Sequence, residues 1–277
     1  MALTSELNMA ATPKGRCAWS GAGPGRPLVQ LMGRNEGLPA PLIYRKGWAL
    51  LGYLAVESNR LHPRAALAAL FWPELSETSA LTNLRQVLSN LNRYCSRELG
   101  PGVLCIERTR VGLMRDAQPM FDVDLVRSAP CRLLQMQPEQ RNFLDDMEDL
   151  GGVDFLSWLE TTRQEMERQL VDATEQCCDE SLEAGEWEHA VVLARALVDR
   201  DPWSEAHARR MMRAHAGIGM PDSASHVYYR FEALLREELG LDTAEETREL
   251  LAQINAASLP PPPPKSQPQE FGRSATA

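Results

Sequence analysis

Apolar residues three and four positions apart set the pattern of the first half of the chain. Leu84, Val87, Leu88 and Leu91 fall on one side of a helix predicted over residues 79–94 and running on to about Glu98, where Gly100-Pro101-Gly102 ends it. Upstream, Trp48, Leu51, Leu54 and Ala55 predict a helix from Arg45 to about Glu57. Asn59 to His62 make a break, Pro63 suits the first turn of another helix with Leu67, Leu70 and Phe71 inside, and Pro73 stops it. A short strand is expected at Leu28–Met32, with a second apolar element near Leu42 and Ile43. Downstream, Val103 to Met114 alternates as two strands around Glu107-Arg-Thr-Arg110.

From Phe155 onward the apolar spacing is helical almost throughout. Trp158, Leu159, Met166, Leu170, Ala173 and Cys177 fit one long helix. Gly185 and Ala190 recur 34 residues later as Gly219 and Ala224, the tetratricopeptide period. Asp201-Pro202 is expected to start the intervening helix as an N-cap and N1 pair, and Thr243-x-x-Glu246 to open the last helix, to about Ile254, as a capping box. Repeats of this kind stack helix pairs and present a surface to partners.

Strands, three helices and a hairpin, in that order, make a winged helix-turn-helix whose third helix enters the major groove. On a wheel of about 100° per residue, Thr82, Gln86, Ser89 and Arg93 lie opposite the apolar stripe of that helix, flanked by Arg85 and Asn90. Arginine bonds guanine bidentately, asparagine and glutamine do the same with adenine, and hydroxyls serve bases or phosphates. Arg108 and Arg110 at the hairpin tip can reach phosphates or a minor groove, and Arg64 at the start of the second helix can take a phosphate. By itself the helix also fits an ordinary amphipathic helix with a solvated polar face; helix and wing together favour the nucleic-acid reading.

Charge sharpens the division. The chain of 277 residues has a formal net charge of −9. Residues 28–115 hold 11 Lys or Arg against 6 Asp or Glu, net +5, whereas residues 128–255 hold 12 against 27, net −15. The first region suits a polyanion and the second does not. No apolar run approaches the roughly 20 residues that span a bilayer, and no signal peptide follows Lys14 and Arg16, so a cytoplasmic protein with no membrane partner is expected. The six cysteines lack metal-ligand spacing and read as reduced packing residues, and no metal or cofactor is expected. Gly21, Gly23 and Gly25 do not make a phosphate loop, because no strand precedes them and Pro24 interrupts them.

An enzyme is not expected either. The cluster Asp145-Asp-Met-Glu-Asp149 lacks a calcium-loop pattern and reads as a solvated acidic segment joining two domains. His62, His189, His207, His215 and His226 show no nucleophile-base arrangement along the sequence. The organisation that follows is a disordered segment 1–26, a DNA-binding domain 27–127, a helical domain 128–255, and a Pro-rich tail or linker 256–277 containing the run Pro260–Pro264.

Several motifs in order carry a resemblance over roughly residues 28–255: Arg45-Lys46 with Ala49-Leu-Leu-Gly-Tyr-Leu-Ala55, Leu70-Phe-Trp-Pro-Glu74, Asn83-Leu-Arg-Gln-Val-Leu-Ser-Asn-Leu91, Glu238-Leu-Gly-Leu-Asp242 and Glu246-Thr-Arg-Glu-Leu250. In these the chain resembles activators of the antibiotic-regulatory-protein type, which join an OmpR-like winged helix to a bacterial transcriptional activator domain. The resemblance implies a mainly α fold with a small β component, binding of double-stranded promoter DNA, commonly at direct repeats, and a tetratricopeptide-like domain for dimerisation or regulation. It also implies an activator with RNA polymerase as a partner, and it places groove contacts on Thr82, Arg85, Gln86, Ser89, Asn90 and Arg93 and wing contacts on Arg108 and Arg110. Asn90 and Asn92 depart from relatives, which often carry Arg there, and the N-terminal strands are shortened between Gly33 and Leu42. The competing reading is a protein-interaction scaffold whose winged helix no longer reads DNA, with Trp158, Trp187 and Trp203 lining a peptide groove or packing as core.

Overall fold

The computed structural model describes residues 28–33, 45–114, 119–136 and 142–258. The segment 1–26 with its glycines, the element near Leu42 and Ile43, and the run Pro260–Pro264 lie outside them.

Helix α1 (Arg45–Val56) buries Trp48, Ala49, Leu50, Leu51, Leu54 and Ala55, an apolar surface wide enough to make it a core helix rather than a surface one. Asn59 then takes a left-handed φ of 61° and its N–H donates to Leu113 O at 2.8 Å, turning the chain back on the hairpin. The next two residues form a strand, β1 (His62–Pro63), where the sequence pattern shows only a break. Helix α2 (Arg64–Phe71) follows with Pro63 at its N-cap, and α3 (Glu77–Glu98) is the long amphipathic helix. The hairpin β2 (Leu104–Ile106) and β3 (Arg110–Leu113) completes an antiparallel sheet of order β1-β3-β2, with His62 and Ile106 both opposite Val111. Gly112 is required in β3, because a Cβ there would stand 2.2 Å from Arg60 O. The three helices and hairpin are those expected of a winged helix, and the third strand of the sheet is one the sequence pattern does not disclose.

The strand expected at Leu28–Met32 does not form. Those residues make only isolated bridges, Val29 with Phe121 and Met32 with Phe143, because their partners are loop residues with no ladder to extend. The buried Asp122 carboxylate holds the segment instead, accepting from Leu31 N at 2.8 Å and Met32 N at 3.0 Å.

Short helices α4 (Leu125–Ser128) and α5 (Pro130–Met136) lead toward the acidic cluster. The cluster is no solvated linker. Phe143, Leu144, Met147 and Leu150 are buried, and α6 (Val153–Ala184) reaches back with Arg163, which donates to Phe143 O and Leu144 O at 2.7 Å and pairs with Glu148 at 2.6 Å. Arg45 of α1 pairs with Asp149 at 3.0 Å. Apolar residues spaced among the carboxylates turn the segment inward, with Glu148 and Asp149 at the rim paired with arginines. The start of α6 shares the core of the winged helix: Phe155 lies 4.9 Å from Phe71, and Trp158 lies 4.7 Å from Tyr53 while donating to Glu57 at 3.3 Å.

The chain packs as two units that divide after Ala184. The second holds α7 (Trp187–Arg200), α8 (Glu205–Gly217), α9 (Pro221–Leu234), a π-helical turn at Leu235–Leu239 and α10 (Glu245–Ser258). The repeat of 34 residues has a physical basis: Gly185 and Gly219 take left-handed φ values of 75° and 86°, and Ala190 and Ala224 are fully buried where helices cross. Two caps differ from expectation. Asp201 ends α7 and its carboxylate receives Trp203 N, while Ser204, accepting from His207 N, caps α8. Thr243 is buried with its hydroxyl 3.1 Å from Tyr228 Oη, and Glu205 of α8 accepts from Ala244 N at the start of α10. A tertiary carboxylate thus meets the backbone at the start of this helix, where the sequence predicts a local capping box.

Candidate nucleic-acid interface

Helix α3 faces outward with the chemistry its sequence suggests. Burial of Ala80, Leu84, Val87, Leu88, Leu91 and Cys95 fixes its rotation, and Thr82, Arg85, Gln86, Ser89 and Arg93 are exposed on the other side. Asn90 is half-buried and accepts a hydrogen bond from the Arg93 guanidinium, so these two side chains act as a pair. The Thr82 hydroxyl donates to Thr78 O at 2.8 Å and keeps its oxygen as an acceptor. On the core side, burial raises the Tyr94 hydroxyl and the Cys95 thiol each to a pKa of about 12, so both stay neutral.

The helix begins two residues earlier than its apolar pattern shows. Ser76 is the N-cap, accepting from Ser79 N, and its hydroxyl lies 3.2 Å from that of Thr78 and 3.0 Å from that of Ser79. These exposed hydroxyls stand at the end of a recognition helix that meets base edges in helix-turn-helix complexes. The sequence reading missed them, although Ser-x-x-Ser after Pro73 is a start signal.

At the wing, Arg108 and Arg110 are exposed. Arg64 comes to the same hairpin: its N–H donates to Thr109 O at 2.8 Å, and its half-buried guanidinium lies 3.5 Å from Glu107 O. Arg64 therefore ties the start of α2 to the hairpin turn.

The arginines near this face differ in their pairing. Arg45, Arg60 and Arg97 pair with Asp149, Glu57 and Glu98 at 3.0, 2.8 and 2.6 Å. Arg85, Arg93, Arg108 and Arg110 are exposed and form no ion pair among the described residues. Among the described residues no group of three or more His, Cys, Asp or Glu could hold a metal, and no helix is long and apolar enough to cross a membrane. On α3 and the wing, guanidinium groups therefore stand beside amides and hydroxyls, the donor and acceptor types that bond phosphates and base edges.

Residues 142–255 match the family model of the bacterial transcriptional activator domain. Among solved structures, the chain is similar to Mycobacterium tuberculosis EmbR in complex with a low-affinity phosphopeptide, at 19% identity and a TM-score of 0.59. That likeness covers 84% of this chain, so it takes in the winged helix as well as the helical region, and 66% of the other, just under two thirds. It is a likeness of fold. No curated protein matches the chain.

Proposed function

We propose that the chain, with its match to the bacterial transcriptional activator domain over residues 142–255 behind a winged helix, is a transcriptional regulator of the antibiotic-regulatory-protein type that reads double-stranded promoter DNA with α3. Arg85 and Arg93 take guanine edges, Gln86 and Asn90 adenine edges, and Thr82 and Ser89 bases or phosphates. Arg108 and Arg110 carry the wing to the backbone or an adjacent minor groove, and Arg64 positions the hairpin while offering its guanidinium to a phosphate. The observation that supports this most is the set of four exposed arginines free of ion pairs on the helix and wing, beside others that are neutralised.

Residues 27–127 are the DNA-binding part in this reading. Residues 128–255 make a homodimer that compensates for the asparagines at positions 90 and 92, since each missing cation reduces counterion release. The bound dimer activates transcription through RNA polymerase. Selection of bound sequences from random DNA, followed by titration at several salt concentrations, tests the proposal. A defined site whose affinity falls steeply with salt supports it; no selected site, or binding indifferent to salt, refutes it. Light scattering on the full chain at tens of micromolar, a range of about the affinity expected for a modest dimer, tests the dimer, and a strict monomer refutes that part.

A further inference from the structure

Among the exposed apolar side chains of the second unit, three gather at one turn. Glu238-Leu-Gly-Leu-Asp242, one of the motifs that carry the family resemblance, folds as a turn around Gly240, which takes a left-handed φ of 66° while Leu241 N closes the turn on Leu235 O at 3.2 Å. In a helix-ending turn of this kind the residue after the glycine ordinarily packs back on the helix. Here Leu239 and Leu241 point outward, 51% and 57% exposed, although Leu235 beneath them is buried with Ala208 and Phe231. Trp203 joins them: its indole is 47% exposed and donates to Glu238 at 3.1 Å, which holds the ring beside the turn. Asp201, Glu237, Glu238 and Asp242 are exposed around this patch, and the Arg236 guanidinium lies 3.5 Å from both Glu232 and Asp242.

Three large apolar side chains in a ring of carboxylates have the composition of a docking site rather than of a solvated turn. We propose that Trp203, Leu239 and Leu241 receive a cationic amphipathic helix of a partner protein. The leucines and indole cover its apolar stripe, and the carboxylates face its Lys or Arg residues. Charge selects this occupant over a second copy of the chain, because a two-fold contact through the patch would set like carboxylates against each other. The patch belongs to the second unit, and the proposal does not rest on DNA reading.

The test uses the full chain and a labelled synthetic helix of Leu and Lys at amphipathic spacing, with a Leu and Glu helix of the same length as control, followed by fluorescence anisotropy. Trp203→Ala and Leu241→Ser, both at exposed positions, are expected to weaken the Leu and Lys helix by about tenfold each with the melting temperature unchanged. Glu160→Gln, outside the patch, is expected to leave binding as it was. The proposal is overturned if the patch variants bind like the parent, if the acidic helix binds equally well, or if no binding appears at about 1 mM, the weak end of the affinity scale. It is also overturned if size-exclusion chromatography finds a self-association that Leu241→Ser abolishes, since the occupant would then be a second copy.

Discussion

Helices α3 and α6 have the same basic design and opposite surfaces. Each is long and amphipathic, and each buries an apolar stripe in the first unit. On α6 the exposed face is spent on itself: Arg168 pairs with Glu165 at 2.8 Å and Asp172 at 2.9 Å, and Gln176 donates to Glu180. On α3 the exposed arginines have no carboxylate within reach among the described residues, and the one cation that does, Arg97, stands at the C-terminal end. Amphipathicity reports which side of a helix is buried. The pairing of charge on the other side separates a solvated face from one kept open for a polyanion.

The largest expected effect tests the buried half of that comparison. Phe155→Ala removes a fully buried ring from the contact with Phe71 and is expected to cost about 4 kcal/mol of stability, read by urea unfolding. A loss below about 1 kcal/mol, the scale of an ordinary surface change, would show that α6 is not part of the winged-helix core. The double variant Arg85→Ala with Arg93→Ala tests the exposed half. It is expected to weaken specific DNA binding roughly hundredfold, on the scale of two lost base contacts, with the circular dichroism spectrum unchanged. Arg168→Ala on α6 should leave DNA binding alone, and equal losses from both helices would erase the distinction.

Gly112→Ala is expected to be next in size, at about 2 kcal/mol, the range of forced local strain, because its methyl meets the Arg60 carbonyl. Its mark is a wing defect: DNA affinity and melting temperature should fall together, whereas the arginine variants lower affinity alone.

The two units should also part on acidification. Burial pushes the pKa of His189 and His215 down, partly offset at His189 by Glu186 and reinforced at His215 by the charge of Arg195. The unfolded chain therefore binds protons at these sites first, and their contribution to stability begins to fall below about pH 6.5, the ordinary histidine value, and is lost as pH falls through their lowered folded values. In the first unit the carboxyls respond lower on the scale. Arg163 holds Glu148 below its usual range against the upward pull of burial, and the Arg45 hydrogen bond does so for Asp149, so their stabilisation persists until pH falls through the usual carboxylate values near about 4. Hydrogen exchange between pH 7 and 5 should show α7 to α9 loosening while α1 to α3 stay protected; the reverse order would contradict this assignment.

The smallest effect separates the partners within α3. Asn90→Ala frees the Arg93 guanidinium and removes an amide, and is expected to change affinity only a few-fold, within about 1 kcal/mol, with a shift in the preferred base. A hundredfold loss would make Asn90 a principal contact.

Much of the first unit was legible because its elements are regular enough to leave a period. The stripe Leu84, Val87, Leu88 and Leu91 set the rotation of α3, and alternation around Glu107–Arg110 gave the hairpin. What escaped was short or bound to distant residues. A two-residue strand containing Pro63 has no alternation to read, and the Leu28–Met32 segment is satisfied by Asp122, about ninety positions away. Likewise Thr243 looked like a cap because the sequence does not reveal that Glu205 reaches the start of α10.

The sequence by itself determined the order of the three helices and hairpin of the first unit, the 34-residue spacing of the helical repeat, and the side of α3 that meets solvent, all consequences of local periodicity and backbone preference. Only the tertiary structure decided which charges remain available. Arg45, Arg60, Arg85 and Arg93 are alike in sequence, but the first two are met by Asp149 and Glu57 and the last two meet no carboxylate among the described residues. Chain folding, not residue type, sets the distance over which opposite charges act, and that distance separates a structural cation from one open to a ligand.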